Sequence, residues 1–220
     1  MDATTLRRAG IATAVVLFAV LIVVLGWAIP PRAAIIATDR LGPEGGEPVA
    51  QYLARAQMSL EGSDSGEHWA LMSFSPGITA ERIPEFSGGL RISQVEYHVS
   101  VDRVATPILA VGVPAGDAAA VASIKSAAGQ VETTPTFDDR SARVKKLVAA
   151  RLNANCPCVV GVVLHGTLPQ LRNLASHPGV RAVEALPEDA PAGVFAVSPL
   201  LPEQLDTASP TPDDAPVPEP

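Results

Sequence analysis

Cys156-Pro157-Cys158 is the most unusual motif of this chain and holds its only two cysteines. Outside the cytoplasm thiols tend to be oxidised, so the pair is a disulfide candidate. Extended backbone holds Cα atoms two residues apart near the ~7 Å limit for bridging, so an internal bond demands a tight, strained turn. Strain eases reduction, which is the property of a redox-active pair. Other readings stand beside this one: a local clasp opening a strand, small apolar packing, or a bridge between two anchored copies in a homo-oligomer. As a zinc site, C-x-C lacks the usual C-x₂₋₄-C spacing and a second pair.

The four histidines, His68, His98, His165 and His177, have no metal-ligand spacing. His98 falls on the polar face of an alternating strand, where exposure to water is expected. His165 ends the strand that Cys158 begins, and their odd separation puts them on opposite faces. His177-Pro178-Gly179 reads as a helix stop. Gly62-Ser-Asp-Ser-Gly66 has Asp64 where a nucleophile elbow needs serine. Neither a phosphate-cradling G-x-x-x-x-G-K-[ST] nor a G-x-G-x-x-G occurs. Glu81/Glu85 and Asp138/Asp139 read as helix-surface and helix-start charges. The expectation is therefore no catalytic residue, no metal and no cofactor.

The elements that would position these residues follow from periodicity. Val49, Tyr52, Leu53, Ala56 and Leu60 have helical spacing, giving a helix over Pro48–Leu60 with proline in its first turn. His68–Phe74 is an apolar run of strand length. Ser75–Thr79 turns into a short helix over Ala80–Phe86 that contains Pro84. Leu90–Val101 alternates as a strand, and Ala105–Val113 is another. Asp117 caps a helix that Gly129 ends, and Gln130–Thr136 follows as a brief strand. Asp139–Ala154 is the strongest helix, with Val144, Leu147, Val148 and Leu152 as its apolar stripe. Cys158–Leu164 is a buried strand, Thr167 caps the next helix, and Val180–Leu186 is a strand. A further short strand fits Val194–Val197.

Helix-strand-helix-strand thus runs from Pro48 to Val101 and again from Asp139 to Leu186. The class is α/β, an α+β sandwich with helices mainly on one face of one sheet. Two topologies fit: duplicated helix-βαβ units, or a ferredoxin-like β-α-β-β-α-β unit over Trp69–Thr136 with later elements added.

Ahead of this domain, Ala9–Ile29 is an uncharged apolar run behind Arg7 and Arg8. Its 21 residues span roughly 31 Å as a helix, close to the ~30 Å hydrocarbon core of a bilayer. Trp27 suits the exit interface, and the paired arginines favour a cytoplasmic N-terminus. A cleaved signal peptide is the rival, but its apolar region is usually shorter, and Ala34-Ile35-Ile36-Ala37 is a poor cleavage site. The organisation expected is a cytoplasmic tail (1–8), a transmembrane helix (9–29), a linker (30–47), an extracytoplasmic α/β domain (48–200) and a disordered, proline-rich acidic tail (201–220). Net charge is −7 and no Lys/Arg run occurs, which argues against nucleic acid as a partner.

The segment from Gly166 to about Leu186, with its helix ending ahead of HPGV-x-x-V-E, resembles the C-terminal half of subtilisin-type propeptide inhibitors. That likeness implies a ferredoxin-like domain whose tail enters a protease cleft. Through LRRAGIATAVVLFAV, the linker and the PVPEP end, the chain also resembles the Ala/Pro-rich single-pass envelope proteins of actinobacteria. The expected role is a plasma-membrane-anchored binding module that meets the bilayer through residues 9–29 and a protein partner in the envelope. The alternatives are a thiol–disulfide protein using Cys156 and Cys158, and a protease-inhibitor-like module.

Overall fold

The computed structural model describes residues 16–21, 24 and 39–220. Residues 16–21 and 24 are helical. The remainder of the Ala9–Ile29 run, with Arg7, Arg8 and Trp27, lies outside the described residues. Among the described residues no helix is long and apolar enough to cross a membrane. Residues 37–220 form a unit of their own.

Its frame is a mixed α/β arrangement around a five-stranded antiparallel sheet. In chain order the elements are β1 (Arg40–Leu41), α1 (Val49–Ser59), β2 (Glu67–Ile78), a 3₁₀ turn (Ala80–Arg82) leading into α2 (Ile83–Ser87), and β3 (Arg91–His98). Then come β4 (Ile108–Gly112), α3 (Asp117–Thr133), α4 (Asp139–Asn153), β5 (Val159–Thr167), α5 (Leu168–Ala175), β6 (Val180–Ala185) and β7 (Ala196–Val197). The sheet order is β4-β3-β5-β2-β6, and β1 pairs in parallel with β7 as a separate ribbon.

Local sequence accounts for most boundaries. Pro48 caps α1, where its missing N–H costs nothing. Pro84 sits in the first turn of α2, so it is tolerated, and Gly88 in the left-handed region ends that helix. Asp138 accepts from the Ser141 N–H at 2.7 Å while its own N–H donates to Ser141 Oγ at 3.2 Å, a reciprocal cap that starts α4. Gly129 does not stop α3, which runs on to Thr133 with Val131 buried, so no strand forms over Gln130–Thr136. Burying Ala127, Ala128 and Val131 on one stripe outweighs the modest penalty of a helical glycine.

That continuation overturns the six-element unit placed over Trp69–Thr136. β4 lies at the sheet edge, and the strand that enters between β2 and β3 is β5, after both long helices. The two helix-strand-helix-strand runs do occur, as α1-β2-α2-β3 and α4-β5-α5-β6. Their strands β2 and β5 pair side by side near the middle of the sheet.

One sheet face carries the main core. Ala70, Met72 and Phe74 of β2, Val95 and Tyr97 of β3, and Val162 and Leu164 of β5 meet the buried stripes of α2, α3, α4 and α5. The opposite face is covered by α1, the β1/β7 ribbon and the C-terminal segment, which bury Leu71, Val163, Ala182 and Leu200. This second cover changes two expectations. Residues 39–47 are built into the domain, with Gly42 N–H donating to Glu184 Oε2 at 2.5 Å, so that part of the linker is structural. Residues 201–220, expected as a disordered tail, also make specific contacts: Arg140 holds Asp213, Arg103 holds Asp214, and Ala105 N–H donates to Asp213 Oδ1 at 3.0 Å. The tail's carboxylates find arginines and a free backbone donor, which anchors it despite its composition.

Candidate functional site

β6 is the last strand of the sheet, so one side of its backbone has no strand partner. Leu186 N–H donates to Trp69 O at 2.8 Å, which fixes the alternation of this ladder. Glu184, opposite Leu71, therefore bonds β2, whereas Val183, opposite Met72, turns its N–H and C=O outward. Ala185 confirms the parity, because its N–H points away from β2 and donates to Ser59 Oγ of α1 at 2.9 Å.

The edge is covered rather than open, with Val183 2% and Ala182 8% exposed, and it lies at the floor of a groove of about 880 Å³. Leu53 and Ala56 of α1, with Leu60 just past its end, line one wall, and Arg172 and Ala175 of α5, with Ser176 just past its end, the other. Arg172 Nη1 donates to Leu60 O at 2.6 Å and to Gly62 O at 3.2 Å, satisfying carbonyls just past the end of α1. Arg181 Nη1 donates to Leu201 O at 2.7 Å, and Nη2 donates to Gln204 O. Neither arginine forms an ion pair among the described residues. Burial outweighs the attraction of Glu203 and lowers the pKa of Arg181. The groove therefore offers two cations bonded to neutral oxygens, beside the half-buried Leu53.

Behind this groove lies a buried charge cluster that sets the position of α1. Arg55 bridges Glu184 and, at 3.0 Å, Glu47. Burial raises the Glu184 carboxyl pKa, against the Gly42 N–H and Arg55, which act to lower it. The Glu47 carboxyl is lowered by its hydrogen bond from Arg55. Glu184, set between Val183 and Ala185 in the strand Val180–Leu186, was the sequence signal for such a pair.

Cys156 and Cys158 are joined in a disulfide, with Cα atoms 5.2 Å apart. The turn that brings them together is held by other bonds as well. Cys158 N–H donates to Cys156 O at 2.8 Å, Cys156 N–H to Arg151 O at 3.2 Å, and Asn155 Nδ2 to Glu81 Oε1 at 2.7 Å. Asn155 adopts φ 56°, a left-handed conformation asparagine tolerates. Gly77 is required opposite the turn, since a Cβ there would come within 2.2 Å of Pro157 O. Both cysteines line a cavity of about 540 Å³ with His98, Arg151 and Glu203. Cys158 is 5% exposed, and Cys156 is half-buried. The bridge lies just past the C-terminus of α4, whose negative pole disfavours a thiolate and so favours the bonded state.

The histidines do not converge. His98 is 6% exposed, not solvated, because the C-terminal segment covers its face and Glu203 Oε1 lies 2.7 Å from its Nε2. His68 holds Leu186 O at 2.7 Å and Asp64 Oδ1 at 2.8 Å, which ties the Asp64 loop to β6. His165 stacks on Trp69 with ring centroids 4.4 Å apart, and His177 packs on Phe86. Among the described residues no group of three potential metal ligands occurs.

Sequence reasoning missed the groove altogether. Its floor reads as an ordinary strand, and only the sheet order makes that strand an edge. No protein-family model, curated protein or solved structure matches this chain.

Proposed function

We propose that this chain is a membrane-tethered, extracytoplasmic binding module of the cell envelope whose binding surface is the groove between α1 and α5. The apolar run Ala9–Ile29 supports the tether, and the paired arginines before it support the orientation. The observation that carries the binding reading is that groove, of about 880 Å³, bordered by Arg172 and Arg181, which bond only carbonyl oxygens among the described residues. The order of β2-α2-β3 and β5-α5-β6 is the ferredoxin-like arrangement, enlarged by β4, α3 and α4 between its halves.

The test is amide hydrogen exchange on the full-length chain in lipid nanodiscs, with and without a panel of extended tetrapeptides. A binder slows exchange in α1 and α5 beside the groove and leaves β4, at the far edge of the sheet, unchanged. Protection confined to other elements, or no binder in the panel, refutes the reading. Protease added outside intact cells should degrade residues 39–220, and a domain left whole would overturn the orientation.

A second reading is favoured by the cavity beside the disulfide. There Cys156 is the accessible sulfur and Cys158 the buried one, an asymmetry suited to thiol–disulfide exchange. Mass spectrometry after alkylation tests it, and two permanently reduced, unreactive thiols would end it. The inhibitor-like reading needs a free tail after β6. It gains no support, because Ala190 is buried and Phe195 packs on Trp69 at 5.9 Å.

A further inference from the structure

We infer that the open edge of β4 pairs with the β4 of a second copy of this chain, joining two five-stranded sheets into one. This surface lies at the opposite edge of the sheet from the groove and does not depend on the groove reading. It uses the tether only to hold copies close together.

Which backbone groups are free follows from two bonds. Val113 N–H donates to Ser93 O at 2.9 Å, and His98 N–H turns away from β4 to Cys158 O at 2.8 Å. Alternation then directs the backbones of Leu109 and Val111 to β3, opposite Tyr97 and Val95, and those of Ile108, Ala110 and Gly112 outward. β4 pairs with no strand but β3, and the outward groups make no hydrogen bond to other described residues. All three outward residues are exposed, Ile108 to 41%. Beside Gly112 lies open space, since a Cβ added there would meet nothing within 4 Å.

The partner is a second copy because the edge is complementary to itself. An antiparallel pairing centred on Ala110 sets Ala110 against Ala110 across a two-fold axis. Ile108 of each copy then lies against Gly112 of the other, on the same sheet face, and the exposed isoleucine fills the space beside the glycine. Each of these pairs is of the kind that exchanges both backbone bonds. No side chain from Ile108 to Gly112 is charged, so two copies meet without like charges, and no lysine guards the edge. Prolines bound the ladder. Pro114, next in the outward alternation, has no N–H, and Val99 O, which Pro107 cannot serve, accepts from the Thr106 hydroxyl at 2.6 Å. A contact confined to five residues holds weakly between free molecules. Tethering both copies to one membrane raises their effective concentration to roughly the millimolar range.

The experiment reconstitutes the full-length chain, labelled near its N-terminus with donor or acceptor dye, in liposomes at about 200 and about 5,000 lipids per chain. Energy transfer should appear at the dense ratio. There, residue-resolved amide exchange should slow at least about tenfold at Ile108, Ala110 and Gly112, while Leu109 and Val111, bonded to β3, do not change. Dilution with lipid should reverse both effects. Ala110→Lys sets two ammonium groups against each other and Ala110→Glu two carboxylates, so each variant alone should lose the transfer. Mixing the two variants should restore it, which no misfolded variant could do. Transfer that survives Ala110→Lys comes from the anchors and overturns the inference. So does its absence from wild type, its absence from the mixture, or exchange at Ala110 that is equally slow at both densities and in both variants. Flotation of the liposomes reads the tether separately, and a chain left in the aqueous phase refutes the tether alone. The same proteins are then compared by sedimentation at roughly 1 mM, where wild type and the mixture should pair and neither variant should. Monomers throughout would overturn the β4 contact.

Discussion

Replacing Glu96 with glutamine should stabilise the protein at neutral and alkaline pH. Glu96 lies on β3 beneath the C-terminal segment and is 1% exposed. Burial pushes its carboxyl from an ordinary 4.5 up to about 7, against a hydrogen bond from Gln94 Nε2 at 2.5 Å that favours the ion. With a folded value above the unfolded one, the unfolded chain releases this proton first as pH rises. Stability from the group is therefore fully present below pH 4.5 and is lost progressively up to about 7. At about 1.4 kcal/mol per pH unit, that interval corresponds to at most about 3 kcal/mol. Glu96→Gln keeps the shape and the acceptor for Gln94 but removes the titration. Urea unfolding of wild type and variant at about pH 4.5, 6 and 8 reads the difference. The two should agree within about 0.5 kcal/mol at the lowest pH, and the variant should be more stable by about 2–3 kcal/mol at the highest. Because the comparison is a difference, titration of His68 and other groups cancels. A constant offset across the three pH values would refute the buried, largely protonated Glu96.

Four other perturbations test the frame. Gly42→Ala should cost at least about 2 kcal/mol in chemical denaturation, because φ is +103° and the added Cβ would lie 1.6 Å from Ser198 O. Arg55→Met should cost about 2–3 kcal/mol, below the fully buried range because Arg55 keeps 38% side-chain exposure, and Arg55→Met/Glu184→Gln, which keeps an acceptor for the Gly42 N–H, should recover most of it. Closing a three-residue loop is worth about 1.5 kcal/mol, so Cys156→Ser/Cys158→Ser should lower thermal stability only modestly and leave circular dichroism unchanged. Burial acts to raise the Glu203 carboxyl, but the bond to His98 prevails and holds it below the usual carboxylate range. Glu203→Gln should therefore destabilise above the ordinary value of 4.5, with the difference fading as pH falls through the lowered value in urea titrations.

What could be read from residue order was the set of elements, since caps and periodicity act locally. Asp138 and Ser141, Thr167, Pro48 and the stripe Leu147-Val148-Leu152 behave as their types require. Gly129 misled because a helix tolerates glycine when its neighbours are buried. His98 and the carboxyl-terminal segment misled together. Alternation correctly put His98 opposite Val95 and Tyr97, but whether that face meets water depends on chain located more than a hundred residues away. The cysteine motif was legible as a disulfide candidate, one of several readings the residues allowed. Its setting was not, because Gly77, Glu81 and His98 reach it through the sheet and not through sequence.

The two edges of the sheet are managed differently. An open strand edge invites uncontrolled pairing, and proteins usually shorten, charge or cover it. β4 is kept short: it is five residues long, ends on Gly112 and exposes Ile108. β6 is covered: α1 and α5 flank it, Val183 is 2% and Ala182 8% exposed, and the Ala185 N–H that points away from β2 donates to Ser59 Oγ. Ser59 thus supplies from a helix the acceptor that a further strand would have supplied. Ser59→Ala should therefore speed amide exchange at Ala185 while leaving Glu184, paired to β2, unchanged, and equal exchange at Ala185 in both proteins would refute that role.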